Sequence, residues 1–161
     1  MSYIGLHMQD PILNWDGQHH RAALAGSPYR LLKSFHPEDY HYHLRHVSPL
    51  TEFIYRHHIL DSHQGEFIER AGQGRAEADA AADDYIRQFK DSVNQHMQGN
   101  GHAESLNEEY PTNNTTKLRK AIAFDRAFVR RLPVHCPGVR PVVFTAAIGN
   151  PGHHEYGELV Q

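Results

Sequence analysis

The side chains of this sequence that offer the most chemistry are the Asn107-Glu108 pair and the histidines. Glu108 carries a carboxyl that can give or take a proton, the amide of Asn107 stands beside it, and Glu109 is its rival one residue on. Fifteen histidines invite a metal reading, but position decides what they can do. His57 and His58 are adjacent, and neighbours on a strand point to opposite faces, so they do not easily chelate one ion. His41 and His43 fall on an expected helix, where a two-residue offset sends side chains to different faces. His19-His20 and His153-His154 read as surface residues. A histidine-dependent metallohydrolase is therefore the weaker reading, and no metal or other cofactor is expected. The one cysteine, Cys136, excludes an internal disulfide and argues against a Cys-based zinc site.

Those groups need a scaffold, and the hydropathy pattern supplies an alternation of strands and helices. Five short apolar runs, at residues 3–8, 29–35, 52–59, 102–108 and 141–147, read as strands bounded by Gly, Pro, Asn and Asp breaks. A short first helix is expected from His19 to Ala25, and a second begins at Pro37-Glu38-Asp39, where acidic residues suit a first turn. After a long polar connection, Ala78, Ala82, Tyr85, Ile86, Phe89, Val93 and Met97 recur at intervals of three and four. That spacing predicts one amphipathic helix from Arg75 to Met97, and the acidic stretch from Glu66 to Asp84 reads as its solvated face and the loop before it. Leu118, Ala121, Ile122, Phe128, Val129 and Leu132 predict another helix behind the capping side chains of residues 113–116.

Alternating elements of this kind argue for an α/β fold with parallel strands joined by right-handed crossovers. Five strands would complete a doubly wound sheet, whereas a closed (β/α)₈ barrel typically takes ~250 residues. A doubly wound sheet normally brings a glycine-rich phosphate loop after its first strand. Here Gln9-Asp10-Pro11-Ile12 stands in that place, which favours the barrel. In a barrel the site gathers at the C-terminal ends of the strands. His7 and Gln9, Lys33 and Ser34, Arg56, His57 and His58, Asn107 and Glu108, and Asn150 fall there.

Asn107-Glu108 at the end of a fourth strand resembles the Asn-Glu pair of the large clan of retaining (β/α)₈ glycoside hydrolases. The resemblance implies that Glu108 is the general acid/base and that Asn107 contacts the sugar 2-hydroxyl. It also implies a second carboxylate about 5 Å away as nucleophile. His57, His58 and Lys33 become candidate substrate-binding groups, as do Asn150 in the loop after strand five and Trp15, whose ring could stack on a sugar. The clan's nucleophile is a Glu at the end of strand seven, and neither Glu155 nor Glu158 matches it. The expectation is therefore a partial TIM barrel of about five βα units, one domain, a truncated frame inactive by itself, acting on a polysaccharide or oligosaccharide when complete. The alternative is a non-catalytic carbohydrate-binding half-barrel that closes its open sheet edges by forming a homodimer.

Composition narrows the partners. The formal net charge is −3, with Lys and Arg scattered singly, so no nucleic-acid partner is expected. No apolar run approaches the ~20 residues of a membrane span, and residues 1–5 lack the pattern of a signal peptide, so the expectation is a cytoplasmic chain with no membrane partner.

Overall fold

The computed structural model describes residues 5–8, 31–41, 52–59, 61–106 and 115–143. It is an α/β structure whose five strands are β1 (Gly5–Met8), β2 (Leu31–Ser34), β3 (Glu52–Tyr55), β4 (His102–Glu104) and β5 (Arg140–Val142). They lie side by side in the order β1-β2-β3-β4-β5, and every pairing is parallel. Chain order and spatial order are therefore the same, with none of the reversal that marks the switch point of a doubly wound sheet. Each expected strand is present among the described residues. The run 102–108 contributes residues 102–104, and β5 starts one residue before the expected 141, with one further ladder bond from Ser105 N–H to the carbonyl of Val142 (2.8 Å).

Among the described residues four helices connect the later strands: α1 (Asp61–Ala71), α2 (Arg75–Arg87), α3 (Lys90–Met97) and α4 (Thr115–His135). A helical turn also begins at Asp39, as expected after β2, while the first expected helix at residues 19–25 lies outside the described residues. Helix α1 replaces what reads in sequence as a polar connection. Its buried stripe is Gln64, Phe67, Ile68 and Ala71, at helical spacing but with a polar first member among charged neighbours. The single helix expected over 75–97 is two. The N–H groups of Gln88 and Phe89 reach back three residues, to Tyr85 and Ile86, which tightens the turn and ends α2. Phe89 thereby enters the core beside Tyr55 and Tyr85, at ring separations of 5.4 and 5.3 Å.

The helices bury one face of the sheet. Leu32, Phe53, Tyr55 and Ala103 point into the helical layer and join one apolar cluster with Ile68, Ile86, Val93, Phe124, Phe128 and Leu132. Helix α4 is clamped to α2 by ion pairs in the same order along both: Asp79 with Arg130 (2.7 Å), then Asp83 with Arg131 (2.6 Å) and His135 (2.8 Å). The two helices are thus parallel neighbours, as successive crossovers of a parallel sheet must be. The acidic residues of α2 are not simply a solvated face. Burial works against the Asp83 carboxylate, yet its bonds to Arg131 and His135 hold it below the usual range.

Two buried carboxyls fasten strand ends to the helical layer. Ser34 Oγ donates to Asp39 (2.6 Å), and Ser105 Oγ donates to Asp125 on α4 (2.6 Å). Burial pushes the Asp125 carboxyl up to about 7, with the Ser105 hydroxyl pulling it partly back. A carboxyl whose folded value exceeds its unfolded one stabilises most below the unfolded value and loses that contribution as pH rises through the folded value. The structure therefore predicts that Asp125 stabilises most below about pH 4 and that this contribution falls away towards pH 7. In Asp125→Asn this component is expected to vanish, so the wild-type minus variant difference in Tm should shift by about 10 °C across the window. A constant difference by calorimetry would contradict the buried, proton-holding Asp125.

Candidate functional site

Alternation along the strands sends a second set of side chains to the face opposite the helices. Register places Lys33, Ile54, His102 and Arg140 in one row across β2 to β5, and Glu104 of β4 opposite Val142. Arg56, the residue after β3, continues the row of Glu104. This face is charged where the helix-covered face is aromatic and aliphatic. Near the strands' N-terminal ends Glu52 meets Arg140 (2.7 Å), and its carboxylate lies 3.4 Å from His102 Nδ1. Burial and the neighbouring Arg140 lower the His102 pKa, with Glu52 opposing, so its ring is neutral at pH 7.

At the C-terminal ends three charges converge. Lys33 Nζ lies 2.6 Å from Oε1 of Glu104 and 2.5 Å from Oε2, and Arg56 Nε is 3.9 Å from Oε2. All three side chains are largely buried, Glu104 at 11% exposure, Lys33 at 19% and Arg56 at 22%. Arg56 also stacks its guanidinium over Phe35, 5.4 Å from the ring centroid, and His58 meets the same ring edge-on at 5.4 Å. The result is a largely buried ammonium, guanidinium and carboxylate flanked by an aromatic ring. Hydrogen-bond donors and acceptors beside an apolar surface are what a hydroxyl-rich ligand requires.

Of the residues singled out in sequence, Lys33, Arg56 and His58 belong to this group. His57 does not. It faces the helical layer, its Nδ1 3.1 Å from Tyr55 Oη and its Nε2 3.1 Å from Gln88 Oε1, with Tyr85 and Phe89 against its ring. Burial lowers its pKa against the opposing Gln88 bond, so it serves as a neutral packing group between strand and helix. The adjacent histidines, just past the end of β3, thus part to opposite sides and continue its alternation. Asn107, Glu108, Trp15 and Asn150 lie outside the described residues. The described chain leads to the pair through Ser105 and the buried Leu106, just beyond Glu104.

Glu104 is the residue that the sequence reading missed. Its signal was the triplet His102-Ala103-Glu104, in which a small apolar residue between two polar ones puts both polar side chains on one face. Two further groups carry no chemistry of this kind. Cys136 is fully buried and burial pushes its thiol up to about 11, well away from a reactive thiolate. Among the described residues no three His, Cys, Asp or Glu side chains are grouped so as to hold a metal ion, and no helix is long and apolar enough to cross a membrane. Compared with known proteins, the chain matches no protein-family model, no curated protein and no solved structure.

Proposed function

We propose that this chain is part of a (β/α)₈-type barrel acting on carbohydrate, with its site at the C-terminal ends of the strands. The observation that carries this reading is the sheet: five parallel strands in unbroken chain order, with Lys33, Arg56 and Glu104 meeting on the face away from the helices. Right-handed crossovers applied repeatedly in one direction put all helices on one side and favour curling of the sheet towards closure. In this reading Glu108, four residues beyond Glu104, is the acid/base and Asn107 the 2-hydroxyl contact. The Lys33, Arg56 and Glu104 cluster contributes the charged groups of the site's floor at the strand ends. Phe35 and His58 offer the flank against which a sugar ring packs.

No nucleophile is assigned among the described residues, so the chain by itself is expected to bind neutral oligosaccharides without turning them over. Titration followed by amide NMR should shift signals of residues 33–35, 56–58 and 104–108, and a panel of oligosaccharides that moves none of them would end the proposal. In a barrel completed with the remaining strands, Glu108→Gln is expected to lower turnover of substrates with poor leaving groups by about 10²–10⁴-fold. Undiminished turnover would remove Glu108 from the role.

A second reading has its own observation. Among the described residues β1 and β5 each pair on one side only, leaving two sheet edges. A non-catalytic half-barrel would close them by pairing with a second copy, and a cooperative melt with a monomeric mass in solution would count against it.

A further inference from the structure

The turn between α1 and α2, the start of α2 and the α4 face from Thr116 to Arg130 enclose a groove of about 490 Å³. Its cationic lining is Arg75, Arg119, Lys120, Arg126 and Arg130, and among its lining residues none is acidic. Lys120 is compensated by Glu69 (2.5 Å) and Arg130 by Asp79 (2.7 Å), and Arg126 has a partner of its own. Arg75 and Arg119 are exposed and meet no acidic partner among the described residues. The floor is small: Ala71 and Ala78 are buried there, Ala123 packs against the core, and the Lys120 stem lies over Gly72.

This concentration of positive charge is costly without a counter-charge. The chain as a whole is net negative, yet Arg75 opens α2 and Arg119 and Lys120 lie in the early turns of α4, with Arg126 and Arg130 further along it. Helix N-termini carry partial positive charge and favour acidic side chains, but the first turn of α4 has none. Arg119, Ala123, Arg126 and Arg130 form one stripe along α4, with alanine opening a gap between two guanidinium groups. Planar guanidinium groups bind the paired oxygens of phosphates in a bidentate manner. The volume suits a small molecule rather than a polymer.

We propose that this groove binds a small multiply charged phosphate, of the size and charge of pyrophosphate, at a place distinct from the strand-end site. At least two unopposed guanidinium groups favour such a polyanion over a single negative charge, and an exposed electrostatic contact must weaken with salt. The test is calorimetric titration of the 161-residue chain with inorganic pyrophosphate at low ionic strength, repeated with sulfate and with the double variant Arg75→Ala/Arg119→Ala. The expected result is saturable binding to one site, weakened at least tenfold in the variant, whose melting temperature without ligand matches that of the wild type. Binding that the variant retains in full, a response that sulfate reproduces at the same concentration, or no heat at all would overturn the proposal.

Discussion

Tyr85→Ala is expected to remove about 4 kcal/mol of stability, the largest loss from any single side chain of the helical layer. Tyr85 is 1% exposed and stands where α1, α2, α4 and the β3 end converge. Its ring lies 5.8 Å from Phe67, 5.3 Å from Phe89, 5.7 Å from Phe124, 6.0 Å from Phe128 and 5.7 Å from His57. Truncation leaves a hole walled by rings whose own positions are set by β3, α1 and α4, so collapse into it is resisted. The hydroxyl matters less. It donates to the Glu104 carbonyl across 3.4 Å, a long bond, and Tyr85→Phe is expected to cost about 1 kcal/mol or less. Urea midpoints for the two variants, at unchanged slope, measure the difference, and equal losses would show that the ring is not the keystone.

Gly138→Ala is expected to destabilise by about 3 kcal/mol. Gly138 follows α4 with φ +86, in the left-handed region where an L side chain is strained, and an added Cβ would collide with the backbone carbonyl of Gly99. Gly99 has φ +78, and a Cβ on it would come within 2.9 Å of the Pro137 carbonyl. Two helix-to-strand turns therefore meet glycine against glycine, and neither neighbour is a side chain that can swing aside. Gly65 provides the contrast. It sits within α1 with no atom within 4 Å of an added Cβ, so Gly65→Ala should raise stability by about 0.8 kcal/mol through helix propensity. Thermal melts of the pair should thus move in opposite directions, and a neutral Gly138→Ala would contradict the close approach.

Much of this architecture is legible in the residues. The short apolar runs mark all five strands, because a strand covered by helices needs only a few alternating or continuous apolar positions between turn formers. The stripes of α2, α3 and α4 follow from their three- and four-residue spacing. What escaped has a physical cause in each case. Helix α1 hides because its buried stripe includes Gln64 and its sequence carries Gly65 among charged residues, so hydropathy alone reads it as loop. The break at Gln88 is invisible because neither glycine nor proline marks it; the demand that Phe89 reach the aromatic cluster is tertiary. The site divides in the same manner. Strand polarity picks out Lys33, Arg56 and His58 as end residues, but whether Glu104 or some other carboxylate meets Lys33, 71 residues away, depends on the registers that β2 and β4 each take against β3 between them.

The contrast between the two faces of the sheet also polices its assembly. If β4 slipped by one residue against β3, His102 and Glu104 would turn into the nest of aromatic rings and Ala103 would turn out. Lys33 and Arg56 would lose their common carboxylate while that carboxylate lost its water, so misaligned intermediates carry unpaired charge in an apolar interior. The ion pairs thus act as a proofreading step, rejecting wrong alignments among strands that are otherwise only three or four residues long and easily mistaken for one another.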